Sequence, residues 1–295
     1  MADLHDELRE RAATCWPSYD WASADVLNGA FHLVLAVPGG PLFRVAIGNG
    51  FKARTNRECQ TLLAFESAPL PVPIPQLLAG PIMSTRWSGI LISRVPGGPH
   101  AGGVLSSTQQ AGYSKLLAAL SALDPIAFVD LSPPRTWCGG AAWPELVSSD
   151  LTPLLPITAR RSAAIRVAEL IQAESIAQTS VCHGDFGPHN ITWDGDRPIG
   201  LFDLDHACIG DPAIDIAPLI GFHGAAAVAG LAAPALLRRA MLHRATLSLQ
   251  VAAAAHLNGS IALRDHALRN FASRDQQGTL FDPNGLDPHG LSDQD

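Results

Sequence analysis

Apolar and polar positions change their period once along this chain, near residue 97. Before that point the apolar runs are short. Val26–Leu27 and His32–Val37 flank Gly29, and Leu42–Ile47 follows the turn-forming Pro38-Gly39-Gly40, so three strands are predicted. From Asn56 to Phe65, Leu62, Leu63 and Phe65 share the segment with polar Arg57, Glu58 and Gln60, the pattern of a helix packed on a sheet. Residues 70–78, LPVPIPQLL, carry alternate prolines and predict an extended connector, because proline removes a backbone donor and restricts its neighbour. Trp87–Ser93 is predicted as a buried strand, and Val95-Pro96-Gly97-Gly98-Pro99 as a boundary.

Beyond the boundary the spacing becomes helical over Thr108–Leu123 and Ile157–Ile176. A β-rich block is predicted from Ser180 to Phe202, then helices rich in alanine and leucine from Pro212 to Ala272. The polar, Gly- and Pro-containing stretch from Asp275 is expected to be loosely ordered. No internal repeat is visible. The expectation is an α+β fold of two lobes. Residues 1–97 form a β-rich N-terminal lobe with one main helix, residues 98–280 a mostly helical lobe, and residues 281–295 a flexible tail. A cleft between two such lobes is where ligands usually sit.

Composition narrows the class. With 47% hydrophobic and 16% charged residues, the chain can bury a sizeable core. A net charge of −7 argues against a nucleic-acid partner, which calls for a basic face. Five scattered cysteines without a CxxC pair suit reduced thiols in a cytoplasmic protein, not a disulfide framework or a structural zinc site. The opening MADLHDELRERAA is charged and helical and lacks a signal peptide's apolar core. The apolar stretch Ile214–Leu237 is broken by Pro218, His223 and Pro234, which suits buried helices and no membrane span.

Two segments carry chemistry. Cys182-His183-Gly184-Asp185-Phe186-Gly187-Pro188-His189-Asn190 is a tight loop with an Asp and an Asn five apart. Leu201-Phe202-Asp203-Leu204-Asp205 is an apolar strand ending in carboxylates. Ile191-Thr192-Trp193, Asp194-Gly195-Asp196 and Pro198–Leu201 between them read as strand, turn, strand, a hairpin that would return Asp203 to the side of Asn190. Phosphoryl transfer needs oxygen ligands for Mg²⁺ and a carboxylate that orients the acceptor hydroxyl and accepts its proton. HGDxxxxN followed by a strand-terminal FD meets both demands. A zinc site from His183, His189 and Asp203 is the competing reading, without the usual ligand spacing.

HGDFGPHNITW with GLFDLDHACIGDPAIDIA resembles the aminoglycoside phosphotransferase family, whose members include macrolide and viomycin-type peptide-antibiotic kinases, choline kinases and homoserine kinases. The match is strongest over Val181–Ala217. The resemblance implies a protein-kinase-like fold, with Asp185 as catalytic base, Asn190 and Asp203 as Mg²⁺ ligands, and Asp215 with His183 as supports of the loop. It implies ATP or GTP as phosphoryl donor and a small-molecule hydroxyl as acceptor, in a monomer or homodimer.

In the N-terminal lobe, Asn28-Gly29-Ala30-Phe31-His32 resembles the loop that covers the nucleotide phosphates. FRVAI offers Arg44 where such enzymes hold those phosphates, with Glu58 as its ion-pair partner and Lys52 as competitor. The segment around Ser93 and Val95 resembles the connector that binds the base. Asp205 is a candidate substrate or second-metal contact, or a turn cap. Between Ile216 and Leu280 the only acids are Asp265 and Asp275, against six arginines (Arg238, Arg239, Arg244, Arg264, Arg269, Arg274), although Glu145, Asp150 and Asp205 are further acids available to a pocket. A polycationic acceptor needs carboxylates there, so a macrolide-like acceptor is favoured over an aminoglycoside. The alternatives are a homoserine- or choline-type metabolite kinase and a non-catalytic, kinase-fold nucleotide-binding module. Choline needs an aromatic cage, and no Tyr or Trp follows Trp193.

Overall fold

The computed structural model describes residues 2–29, 31–100 and 104–290. Five antiparallel strands form one sheet in the order β1-β2-β3-β5-β4: β1 Asp25–Asn28, β2 His32–Ala36, β3 Leu42–Ile47, β4 Leu77–Met83 and β5 Trp87–Ile92. Side chains alternate across a strand, so the sheet has two faces with different work. Leu33, Leu35, Phe43 and Val45 point to the face covered by α1 (Ala2–Cys15), where Leu8, Trp21 and Trp87 complete a core. Arg44 therefore points the other way, paired in register with Val34 and Ile90 on the face toward the cleft. Helix α2 (Phe51–Phe65) packs Leu62 and Phe65 into a second core with Ile90 and Ile92.

β4 lies where an extended connector was expected to run to Leu78. It is an edge strand, which is where the sheet tolerates the missing N–H of Pro81. Helix α2 begins at Phe51 rather than Asn56. Gly50 before it has φ 72°, a left-handed turn that lets the chain enter the helix directly from the Gly48–Gly50 bend.

In the second half, α3 (Ser107–Ser121), α4 (Ile157–Glu174), α5 (Ala213–His223), α6 (Pro234–Leu257) and α7 (Ile261–Gln277) surround two small sheets. Strands β6 (Ser180–Cys182) and β9 (Cys208–Gly210) make one, and β7 (Ile191–Asp194) and β8 (Arg197–Leu201) the other. The core around α2 continues through Tyr113, Leu116, Phe186 and Trp193 to Leu219 and Met241, so one apolar mass joins the lobes. A separate core beneath holds Trp143, Leu151, Leu170, Leu249 and Phe271. Gly98 exchanges backbone hydrogen bonds with Trp193 and so stitches the connector to the β7–β8 hairpin.

The expected loose tail is packed as far as it is described. Asp275 belongs to α7, and Gly278, at φ 69°, turns the chain back. Arg244 donates to the carbonyls of Thr279 and Leu280, and buried Asp282 accepts from the Ala225 N–H at 2.6 Å. Polar composition suggested freedom, but Leu280 and Asp282 each find a buried partner. Residues 291–295 lie outside the described residues. No helix among the described residues is long and apolar enough to cross a membrane, and the five cysteines are free thiols.

Candidate active site

The HGD loop follows β6 and is shaped from below. Asp215, in the first turn of α5 and 2% exposed, accepts the backbone N–H of His183 and of Gly184, each at 2.8 Å. Gly184 has φ 89°, and a Cβ there would lie 2.0 Å from the His206 carbonyl oxygen, so only glycine passes this point. His183 is fully buried. Its Nε2 donates to the Phe202 carbonyl at 2.9 Å, and its Nδ1 accepts the Asp185 N–H at 3.3 Å. Both ring nitrogens are spent on the loop, which leaves none for the competing zinc site.

Asp185 emerges from this loop into the cleft with 37% of its side chain exposed. Asn190 Nδ2 donates to its carbonyl at 2.9 Å and to its Oδ2 at 3.0 Å, and His189 Nε2 lies 3.2 Å from the same Oδ2. Burial opposes charge on Asp185, but the His189 bond and the nearby His206 and His183 hold its pKa below the usual carboxylate value. The same bond raises His189. Sequence reasoning weighed His189 only as a zinc ligand and missed this partnership, although His189 stands inside the motif.

The hairpin brings the second segment back. Ile191 pairs with Leu201, and the Phe202 N–H donates to the Asn190 carbonyl at 3.0 Å. Asp203 follows in the left-handed region at φ 61°, a strained conformation for a residue with a Cβ. Its Oδ1 accepts Arg44 Nη2 at 2.7 Å. Arg44 Nη2 also meets Asp205 Oδ2 at 2.6 Å, and its Nε lies 2.8 Å from Glu58 Oε1. One guanidinium thus faces three carboxylates, an excess of negative charge suited to a divalent cation. Burial pushes Glu58 well above its ordinary pKa despite Arg44, and the neighbouring Asp205 and Asp203 add to the push. Asp205 is held down at about 2, because Arg44, His32 and His206 outweigh its burial. Arg44 is raised, its carboxylate partners overcoming desolvation. Lys52 is exposed beside the Phe51 ring and takes no part in this cluster.

The donor set has open positions. Asn190 commits its amide nitrogen, and Asp203 has one oxygen beyond the one Arg44 holds. An amide oxygen and a carboxylate oxygen are hard ligands of the kind Mg²⁺ takes, so the residues fit that ion.

Gly29, Phe31 and His32 line a cavity shared with Arg44, Asp203 and Asp205. The Gly29 N–H donates to the His32 carbonyl at 2.8 Å, and Phe31 rests on the lower helical core. Ala30 of this loop lies outside the described residues. His32 Nε2 sits 3.5 Å from Asp205 and 3.9 Å from Glu58. Desolvation and then Arg44 lower its pKa to about 4. Ser93 gives its N–H to the Gln76 carbonyl at 2.9 Å and its hydroxyl accepts the Gln76 N–H, so its carbonyl and its hydroxyl proton remain for a ligand, next to Val95.

Two cavities meet at Arg44, Asp203 and Asp205. One, of about 710 Å³, runs from these residues past Val34, Leu42 and Ile191 to Ser93 and Val95 at the connector. The other, of about 570 Å³, runs past Asp185 under the helical lobe, against Trp137, Leu247, Val251 and Ala254. Its acids among the described residues are Asp185, Asp203 and Asp205. None of the six arginines of the last helices lines this cavity; Arg239 holds Asp211, and Arg244 binds the tail carbonyls. The arginines that do line this cavity are Arg44, Arg54, Arg57 and Arg135. Trp137 stacks on His206 at 4.5 Å between ring centres, a wall that sequence reasoning did not find because Trp137 sits in an irregular segment.

Comparison with known proteins agrees with this architecture. Residues 33–274 match the phosphotransferase enzyme family. Viomycin phosphotransferase of Streptomyces vinaceus is 30% identical over 187 residues, spanning 58% of this chain and 64% of that protein. The GDP complex of wild-type aminoglycoside 2'-phosphotransferase-IIIa superposes with a TM-score of 0.74 at 17% identity, over 94% of this chain and 99% of that one. The apoenzyme of a macrolide 2'-phosphotransferase from Brachybacterium faecium gives 0.63 at 18% identity, over 90% and 98%. These structures share the kinase-like fold of a sheet lobe over a helical lobe. With its family match running from β2 into the last helix, the chain belongs to the phosphotransferase enzyme family.

Proposed function

We propose that this protein is a Mg²⁺-dependent O-phosphotransferase that moves the γ-phosphate of ATP or GTP to a hydroxyl of an antibiotic. A bulky, weakly charged, macrolide-like acceptor is favoured over a polycationic aminoglycoside. The observation that carries the reading is Asp185, partly open to the acceptor cavity and held by Asn190 and His189 at one end of the Arg44–Asp203–Asp205 cluster. Asn190 Oδ1 and Asp203 would hold Mg²⁺, which supplies charge neutralisation for the transferred phosphoryl group. Asp185 orients the acceptor hydroxyl and takes its proton late in the transfer. Its lowered pKa keeps it ionised for that task at neutral pH. Glu58 fixes Arg44 from behind, and Arg44 presents its remaining donors toward the phosphates. The cavity reaching Ser93 and Val95 suits the base and ribose.

The acceptor preference is supported by the cavity's lining: aromatic and aliphatic walls, arginines, and among the described residues no carboxylate beyond the reaction centre. The same lining disfavours a choline-type acceptor. Trp137 and Phe31 supply aromatic surface, but Arg54 and Arg57 would repel a quaternary cation.

The test is direct incubation of the protein with Mg²⁺, ATP or GTP, and macrolides, aminoglycosides, peptide antibiotics and small alcohols, read by mass spectrometry for one added phosphoryl group. Asp185→Ala should lower turnover by about 10³-fold while nucleotide affinity stays near that of the parent. Turnover preserved in that variant removes the base assignment.

A further inference from the structure

The four arginines of the acceptor cavity are not equivalent. Arg44 has its charge matched by Glu58, Asp203 and Asp205, with Nη1 left for the donor phosphates. Arg135 makes two hydrogen bonds to Glu174, at 2.5 and 2.6 Å, and lies over the Trp143 ring. Arg54 donates to the Ile47 carbonyl and, at 3.4 Å, to Asn258 Oδ1, and it lies over the Phe31 ring. These bonds fix its position without neutralising it, and its buried Nε has no partner. Arg57, half-buried one turn along α2, has no hydrogen bond or ion pair among the described residues. Desolvation is the largest influence on both guanidiniums, and Arg54 also feels Arg57. The carboxylate whose charge reaches both is Asp205, and Asp205 is already held by Arg44 at 2.6 Å.

Two partly desolvated, uncompensated guanidiniums side by side cost free energy unless a ligand supplies the counter-charge. They line the cavity under the helical lobe and not the one leading to the connector, so the counter-charge belongs on the acceptor side. We propose that Arg54 and Arg57 form a subsite of the acceptor cavity that selects an acceptor carrying a carboxylate near its reactive hydroxyl. Arg57 supplies the free donors and Arg54 the fixed charge beside them. This rests on the reading of that cavity as the acceptor site, and within the bulky, weakly charged class it selects an acceptor whose charge is a single acid on an otherwise apolar body.

The experiment uses three pyranoses that share hydroxyls and differ in charge: D-glucuronate, D-glucose and D-glucosamine. Binding to the chain, loaded with Mg²⁺ and a non-hydrolysable nucleotide, is followed by saturation-transfer NMR at low ionic strength. D-Glucuronate should bind about tenfold more tightly than D-glucosamine, with D-glucose between, because the acid forms a charge-assisted hydrogen bond where the amine meets a like charge. The preference should vanish in Arg57→Gln and invert in Arg57→Glu, with nucleotide affinity unchanged in both. D-Glucosamine binding as well as D-glucuronate, or no D-glucuronate binding at millimolar concentration, overturns the proposal. So does an Arg57→Gln variant that loses nucleotide and keeps D-glucuronate, which would place the subsite on the donor phosphates. Failure of every alcohol to accept phosphate would instead refute the transferase reading, and it is scored in a separate assay.

Discussion

Asp215 never meets a ligand in the proposed reaction, yet its replacement should reach the reaction centre. Its two oxygens each take one buried backbone N–H, from His183 and Gly184, immediately before Asp185. Asp215→Ala removes both acceptors and leaves two buried donors without partners. Hydrogen bonds to a charged acceptor contribute about 1.5–3 kcal/mol each. Burial itself raises the Asp215 pKa, so the pair is discounted for desolvation to about 4 kcal/mol. For a chain of this length that corresponds to a fall in Tm of about 8 °C. Asp215→Asn keeps one acceptor but turns an NH₂ group toward the other N–H, and should lose about half as much. Freed of this clamp, the loop can shift Asp185, and a displacement near 1 Å costs about 100-fold in kcat. The assay is calorimetric melting alongside single-turnover phosphoryl transfer, performed well below the variant's Tm so that geometry is separated from unfolding. An Asp215→Asn protein that melts within about 1 °C of the parent and keeps kcat within about twofold would refute the clamp.

Three further outcomes follow from the geometry. Gly184→Ala forces a Cβ to 2.0 Å from the His206 carbonyl oxygen and should cut kcat by about 100-fold, whereas Gly50→Ala, at φ 72° with nothing within 4 Å, should cost only about 1 kcal/mol in a melting experiment. Arg44→Ala leaves buried Glu58 facing Asp203 and Asp205 and should destabilise by about 3–5 kcal/mol; added Mg²⁺ should then raise the variant's Tm more than the parent's, and an equal response would count against a shared cation site. Asp211 is lowered to about 2, burial being outweighed by His243, Arg239 and the Ala213 N–H, so its stabilising contribution is complete above the unfolded carboxylate pKa and is lost as pH falls from about 4 toward 2. That amounts to about 2 kcal/mol, and acid titration of Asp211→Asn should lack this portion of the fall in stability.

The sequence alone determined most of what is local. Alternation in β2 and β3, helical spacing in α3 and the prolines of 95–99 are short-range signals, and the elements follow them. The HGD loop and the returning FD strand were legible because a hairpin needs only a turn, Asp194-Gly195-Asp196, and two apolar flanks. What chain order could not give is which charges meet. Arg44 and Asp203 stand 159 residues apart and touch at 2.7 Å because β3 and the end of β8 face each other across the cleft. Composition showed arginines outnumbering acids in the last helices but not where they point; packing gave Arg239 to Asp211 and Arg244 to the tail carbonyls, and brought Arg54 and Arg57 to the cavity from the sheet lobe. The tail looked free because its residues are polar, and its described part is packed because Asp282 accepts the N–H of Ala225, far away in sequence. Periodicity records which side of an element is apolar, but only the assembled lobes decide which charged group stands opposite another.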